Sequence, residues 1–391
     1  MKFLHISDLH IGKRVNEFSM TEDQKYILNQ ILQIAQREQV DAVLIAGDIY
    51  DKPMPSAEAV QMFDWFLTGL ADLGKKVLAV SGNHDSPERI AFGGELMRGR
   101  GVYVSPVYRG ETLEVALQDS YGEIRVHLLP FVKPATVRHT LEERPEDEGG
   151  IRLPESYQEA AEIAIRRMKI DEKARNILVA HQFVTGAGRC DSEEVAVGGM
   201  DNVDARVFNA FDYVALGHIH SPQRVGRDTV RYAGSPLKYS LSEIRNEKSV
   251  PLVTMGPKGE VEVELVPLIP RRDMRHLKGG LGQLLDGKNI QSPEDYIYVT
   301  LTDEDPIPDA MGIVRQFYPN TMKLDYENSH TGQAQLQPAE VLRGREKSFR
   351  ELISDFYRMM YGCDISQEEL EIAREAAKEA GIANETDETD R

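Results

Sequence analysis

Cysteine is almost absent: Cys190 and Cys363 are the only two in 391 residues. A disulfide framework is thereby excluded and a reducing compartment is expected. No apolar run approaches the roughly 20 residues that a membrane-spanning helix needs, and the N-terminus runs straight into an apolar strand rather than a secretory signal, so the expectation is a soluble, cytoplasmic protein with no membrane partner. Positive charge is also short. With 46 Lys and Arg against 64 Asp and Glu, the net charge is -18, which weighs against tight nucleic-acid binding by the chain alone, because phosphate contacts come from Lys and Arg. Much of the deficit is local: Asp364 to Arg391 holds ten acids against three bases, and Glu142 to Glu148 five against one. Two basic clusters remain, Lys13, Arg14, Lys52 and Arg89 near the N-terminal motifs and Arg271, Arg272, Arg275 and Lys278 later. Each reads equally as solvated surface, and the second as a charged linker.

What is present is an ordered set of metal-ligand types: Asp8 and His10, Asp48, Asn83, His181, then His218 and His220. Most follow a short apolar run that suits a buried strand: Phe3 to Ile6, Ala42 to Ala46, Val77 to Val80, Ile177 to Ala180 and Tyr213 to Leu216. In layered α/β folds, ligands gather beyond such strand ends. A carboxylate such as Asp48 has two oxygens and can bridge two cations, while imidazoles and an amide complete the shells without adding charge. Two cations about 3.5 to 4 Å apart would activate water and relieve charge on the leaving oxygen of a phosphodiester. Oxygen and nitrogen ligands without thiolate point to manganese, iron or zinc, with Mn2+ the first choice.

Taken singly, Asp8-Leu9-His10 is a weak signal and more often a turn. Gly82-Asn83-His84-Asp85 is stronger, although Asn83 or Asp85 could equally cap a helix. In Gly217-His218-Ile219-His220, alternating residues of an extended segment put both imidazoles on one side. Elsewhere, Thr21-Glu22-Asp23-Gln24 reads as a capping box opening a helix with Ile27, Ile31, Ile34 and Ala35 inside. A second helix follows Ser56, with Met62, Phe63, Phe66 and Leu70 inside, Trp65 packed beside them and Gly74 as a stop. Strands around 111 to 117 and 123 to 131 suggest an antiparallel addition. The stretch 142 to 154 reads as a loop, and a helix is expected over 155 to 170. The loop Thr185 to Gly199, with Cys190 as an ordinary loop thiol, is expected to border the site. Strands near 229 to 233, 250 to 255 and 260 to 267 precede a boundary at Pro267 to Arg272. Beyond it, Tyr296 to Leu301 and Thr321 to Tyr326 suit strands and 308 to 318 a helix. Phe349, Leu352, Ile353, Phe356, Met359 and Met360 form an apolar helical stripe, and Leu370, Ile372 and Ala373 open another helix.

The ordered set resembles the calcineurin-like metallophosphoesterase superfamily and, within it, the SbcD-type branch of bacterial nuclease subunits. The resemblance rests on His5-Ile6-Ser7-Asp8-Leu9-His10-Ile11-Gly12-Lys13, Ala46-Gly47-Asp48-Ile49-Tyr50-Asp51, Ser81-Gly82-Asn83-His84-Asp85-Ser86, Gly217-His218-Ile219-His220 and Gly234-Ser235-Pro236-Leu237. It implies a two-sheet α/β sandwich over 1–268, a small α/β capping domain over 269–336, C-terminal helices over 337–383 and a disordered tail over 384–391. It implies one metal on Asp8, His10, Asp48 and His220, a second on Asp48, Asn83, His181 and His218, and His84 acting at the phosphate. Asp85 would either orient His84 or cap a helix. The implied activity is a DNA nuclease, a single-strand endonuclease and 3′ to 5′ double-strand exonuclease that processes hairpins and ends. The implied partners are an SbcC-like ABC-type ATPase and DNA, with a homodimer inside a heterotetramer. The alternative is another phosphodiesterase or a phosphatase, against which Asp48 is followed by Ile49-Tyr50-Asp51-Lys52 with no Arg.

Overall fold

The five apolar runs become adjacent strands of two sheets in the computed structural model, which describes residues 1–143, 153–193 and 202–328 and a few positions between 353 and 373. Lys2–Ile6, Ala42–Ala46 and Lys76–Val80 lie side by side and parallel, extended by Val102–Val104 on one side and by antiparallel Ser249–Met255 and Val261–Pro267 on the other. In the second sheet Arg175–His181 and Tyr213–Gly217 are parallel neighbours, flanked by Arg227–Tyr232 and Gly122–Leu129, with Gln223–Val225 and Leu113–Asp119 at the edges. Strands buried on both faces need no polar alternation. Ala42–Ala46 and Tyr213–Gly217 are accordingly buried at every position.

The sheets pack face to face through Phe3, Leu44, Leu78, Val126, Ile177, Val179 and Tyr213. The helices Thr21–Arg37 and Ala57–Asp72 cover the outer face of the first sheet, and Pro134–Glu143 and Tyr157–Arg166 that of the second. This is the expected two-sheet α/β sandwich. Ser56 caps its helix by accepting from the Ala59 N–H, and the expected Met62, Phe63, Phe66 and Leu70 are buried. Trp65 packs at the edge of that core, with the Lys25 ammonium 5.8 Å from its ring centre.

Four local expectations change. Thr21 does not open a capping box, because Met20 occupies the N-cap and makes no side-chain cap bond. Asp23 and Gln24 are instead buried and turned to other partners. The helix Pro134–Glu143 reaches into what reads as loop, and Met274–Gly279 is a strand rather than a linker. Gly122–Leu129 pairs antiparallel with Leu113–Asp119 but also parallel with Arg175–His181, so it belongs to the body of the second sheet.

Residues Met1–Tyr326 make one compact unit. Within it, Met274–Gly279, Tyr296–Leu301 and Thr321–Tyr326 form a small parallel sheet with the helix Ala310–Arg315. It has its own apolar cluster of Ile297, Val299, Leu301, Val314 and Tyr318, while Met274, Tyr296 and Met322 join the main core. Buried Asp23 ties the two together, taking Arg272 at 2.6 Å and the Tyr296 hydroxyl at 2.8 Å. Arg271 and Arg272 also pair with Glu22, and Arg275 with Asp295. These arginines are engaged in ion pairs within the unit.

The second unit is Glu327–Arg391. Most of it, including Phe349, Leu352, Phe356, Met359, Met360 and the tail from 384, lies outside the described residues. Residues 369–373 are helical, and Ser366 accepts from the Glu369 N–H.

Between the sheets His5 is fully buried, donating from Nε2 to the Leu216 carbonyl at 3.1 Å and accepting the Tyr213 hydroxyl at Nδ1 at 3.0 Å. Burial, reinforced by the Arg231 charge, pushes its pKa down from 6.5 to about 3. The unfolded chain therefore takes up a proton as pH falls through 6.5 while the folded one does not, and stability is lost over that window down to about 3. One such group contributes a slope of at most about 1.4 kcal/mol per pH unit. Urea unfolding between pH 7 and 4 is expected to show a shallower loss of stability for His5→Gln than for the wild type; equal slopes would remove His5 from the account.

Candidate metal centre

Three loops leave the ends of the first sheet and two leave the second, and they meet around Asp48. The turn after Lys2–Ile6 is locked to the turn after Ala42–Ala46 by backbone bonds from Asp8 N–H to Gly47 O, His10 N–H to Asp48 O and Ile11 N–H to Ile49 O, at 3.1, 3.0 and 2.9 Å. Asp8, His10 and Asp48 sit at φ of 52°, 43° and 48°, and His218 at 107°. Non-glycine residues rarely adopt such angles, and where they persist the surrounding structure has to hold them. Two glycines make room for the side chains. A Cβ on Gly82 would lie 2.1 Å from Asp48 Oδ1, and one on Gly217 would lie 1.9 Å from the Ala46 carbonyl.

All seven expected ligands converge. Asp48 Oδ2 lies 3.4 Å from His181 Nε2 and 3.6 Å from His10 Nε2. His10 Nε2 and His220 Nε2 are 3.1 Å apart. Asn83 Oδ1 is 2.9 Å from His181 Nε2 and 3.0 Å from His218 Nδ1. The carboxylate of Asp8 accepts the His218 N–H and the Ser7 hydroxyl, and its oxygens lie near both His10 and His220 on one side and Asp48 and His181 on the other. His84 stands slightly apart, its Nε2 4.0 Å from Asp48 Oδ2 and its Nδ1 donating to the Asp51 carbonyl at 3.2 Å.

This donor set fits divalent cations. Two nitrogens each about 2.1 Å from one ion stand roughly 3.0 to 3.4 Å apart, the range into which the His10 to His220 separation of 3.1 Å falls. His10 Nδ1 is buried with no hydrogen-bond partner, the nearest carboxylate oxygen, on Asp51, being 3.7 Å away. The electrostatics agree. Burial would raise the Asp48 carboxyl, but the charge and hydrogen bond of His181, with His10 and His84, outweigh it and hold Asp48 well below the usual range. Burial likewise opposes a charge on His181, yet Asp48 and Asp8 raise its pKa to about 9. Burial pushes His10 well below its ordinary value and pushes Asp8 up. A field that retains a proton on a buried imidazole favours a divalent cation in the same place.

Asp85 is neither a helix cap nor, among the described contacts, a partner of the His84 ring. Its buried carboxylate takes the backbone N–H groups of Ile49, Tyr50 and Gly82 at 3.1, 2.9 and 2.9 Å, clamping the Asp48 turn to the Asn83 turn. Burial, then the Asp48 charge, raises its pKa to about 6 against these bonds. Ser86 is the cap, accepting from Arg89 N–H. Other supporting residues carry no motif of their own. Gln24 donates to the Leu9 and His10 carbonyls at 3.3 and 2.7 Å and accepts from Gly12 at 3.0 Å, and Tyr239 donates to Leu9 O at 2.6 Å. Lys13 pairs with Asp51 at 2.8 Å. The loop after Phe183–Val184 does border the site: Glu193 accepts the His220 N–H at 2.7 Å and Ser192 Oγ lies 2.8 Å from His220 Nδ1. Its continuation, 194–201, lies outside the described residues.

Residues 1–222 match the calcineurin-like phosphoesterase family. The chain belongs to that family. The family's shared feature, a metal-dependent phosphoesterase site, agrees with the cluster just described, and the chain is a divalent-metal hydrolase. Residues 270–361 match a second family, described as the type 5 capsule protein repressor C-terminal domain. A relative from Staphylococcus epidermidis (strain ATCC 12228 / FDA PCI 1200), the SbcD subunit of the nuclease SbcCD, is 29% identical over 375 residues, covering 94% of this chain and 95% of its own. Among solved structures, TT1561 of Thermus thermophilus is 15% identical with a TM-score of 0.39, covering 68% of this chain and 98% of that one. A dimetal phosphatase from Danio rerio is 13% identical with a TM-score of 0.37, covering 69% and 99%. Likenesses this loose say nothing about the chemistry here.

Substituting Gly82→Ala is expected to abolish stoichiometric metal binding while circular dichroism remains that of a folded protein. Metal content after gel filtration checks this, and a fully loaded variant would mean that the Asp48 turn tolerates the clash.

Proposed function

We propose that this protein is a manganese-dependent DNA nuclease, the catalytic subunit of an SbcCD-type complex. The observation that carries the reading is the meeting of Asp8, His10, Asp48, Asn83, His181, His218 and His220 around one buried carboxylate, in a chain similar over nearly its whole length to the SbcD subunit of a nuclease SbcCD. One metal would be held by Asp8, His10, Asp48 and His220, and the other by Asp48, Asn83, His181 and His218. When bound, the pair lowers the pKa of water, neutralises the diester and stabilises the departing oxygen. His84 donates Nδ1–H to the Asp51 carbonyl, which fixes the ring and leaves Nε2 toward the reacting phosphate. With Nε2 also protonated, it gives that proton to the leaving alkoxide or stabilises transition-state charge. Asp85 holds the His84 turn by its backbone. Single-strand endonuclease and 3′ to 5′ double-strand exonuclease action, with hairpin and end processing, is the substrate range proposed.

Residues 269–336 are given a capping role in this reading, and 337–383 the docking of an SbcC-like ABC-type ATPase. The charge pattern supports a dependence on that partner for DNA affinity. Net charge is -18, and Lys13, Arg271, Arg272 and Arg275 are engaged with acids. Phe92, 85% exposed in the turn after Pro87–Ile90, and Leu96, 87% exposed on the short helix Gly94–Met97, support pairing of two copies within a heterotetramer. Among the described residues no helix is long and apolar enough to cross a membrane, in keeping with a cytoplasmic place.

Cleavage of a closed single-stranded DNA circle and an end-labelled duplex with Mn2+ tests the activity. His84→Ala is expected to keep both metals and lose about a hundredfold or more in rate, whereas Asp48→Ala loses metal and activity together. An emptied metal site in His84→Ala would overturn the division of roles, and hydrolysis of a small diester without any DNA cutting would move the substrate to the phosphodiesterase alternative. Deleting residues 340–391 is expected to abolish co-elution with the ATPase partner and spare small-diester hydrolysis; retained co-elution would place the docking surface elsewhere.

A further inference from the structure

Behind His220, on the side away from His10, lies a buried set of charged and polar groups that the chemistry above leaves unused. Glu243 is fully buried, and the Lys248 ammonium, itself buried, lies 2.5 Å from its Oε2. Ser192 Oγ stands between Glu243 Oε1, at 2.6 Å, and His220 Nδ1, at 2.8 Å. A hydroxyl has one proton to give, and an ionised carboxylate can only accept. With Lys248 keeping Glu243 ionised, Ser192 donates to Glu243 and its oxygen accepts the Nδ1–H of His220. The remaining nitrogen, Nε2, then carries the lone pair, and it is the atom 3.1 Å from His10 Nε2.

The surrounding turn holds the same residue by its backbone. Lys248 Nζ donates to the His220 carbonyl and to Ser235 Oγ, both at 2.8 Å. The Ser235 N–H donates to the same carbonyl at 3.1 Å, and a Cβ on Gly234 would lie 2.7 Å from it. Glu193 Oε1 accepts the His220 N–H at 2.7 Å. The motif Gly234-Ser235-Pro236-Leu237, which contributes no ligand, thus has a physical task in seating His220.

We propose that Glu243, acting through Ser192, is a positioning residue that holds His220 in its Nδ1–H tautomer and thereby sets the affinity of the metal position formed with Asp8 and His10. The inference rests on the two-metal reading of the site. An outer hydrogen-bond partner of a ligating histidine commonly changes metal affinity by about tenfold to a hundredfold. Here the effect should fall on one position of the two. It also links that position to the loop carrying Ser192 and Glu193.

The experiment uses the full-length chain. Its two readouts are the nitrogen-15 tautomer signature of His220 in metal-free protein and Mn2+ titration followed by electron paramagnetic resonance. Glu243→Gln leaves the buried Lys248 charge without its partner and endangers the fold, so half-buried Ser192 carries the test. Ser192→Ala is expected to mix the tautomers and weaken one Mn2+ class by about tenfold to a hundredfold, with the other class within about twofold; Ser192→Thr, which restores the hydroxyl, should recover both readouts. An unchanged tautomer and unchanged affinities in Ser192→Ala would overturn the proposal, as would equal weakening of both classes. A wild type that binds no Mn2+ would instead defeat the two-metal reading, and the tautomer signature would still decide the role of Ser192.

Discussion

The Asp48 carboxylate is a buried negative charge at the point where two sheets meet, and the structure around it answers the cost of burying that charge. In the protein alone it is compensated chiefly by the charge and hydrogen bond of His181, whose pKa Asp48 and Asp8 raise to about 9. A buried ion of this kind persists only when paired and hydrogen-bonded. The convergence of four imidazoles and an amide on Asp48 and Asp8 is therefore an electrostatic requirement of the closed site as much as a catalytic arrangement.

Holding that convergence takes unusual backbone. Four of the ligands occupy left-handed or neighbouring conformations, kept there by bonds between the two N-terminal turns and by the Asp85 clamp. Glycines at 82 and 217 let backbone and side chains approach more closely than any Cβ permits. The core on either side, with parallel strands buried on both faces, supplies the rigidity against which this strain is held.

The helix Thr21–Arg37 joins the site to the small sheet. Adjacent buried residues at its start divide the work: Asp23 holds Arg272 and Tyr296, while Gln24 holds the carbonyls of the Asp8 to His10 turn. Arginines that would suit phosphate contacts are committed to this seam. Bases committed in this way serve the architecture, in line with the chain's excess of acid.

The layered α/β fold and the residues that converge on Asp48 are legible in the sequence, because both are written locally. The seven candidate ligands stand just beyond five apolar runs, and the strands Lys2–Ile6, Ala42–Ala46, Lys76–Val80, Arg175–His181 and Tyr213–Gly217 form where those runs lie. Tertiary structure decided the supporting roles. Thr21 to Gln24 had the spacing of a capping box, yet Met20 takes the N-cap, and Asp23 and Gln24 find buried partners far away in the chain. Arg272 and Arg275 read as linker charges until Asp23 and Asp295 came within reach. Glu243, Lys248 and Ser192 have no pattern at all in the sequence, since their meaning arises only when separate loops close on His220. Local patterns record what a strand or turn needs from its own residues, and partners brought from elsewhere leave no such record.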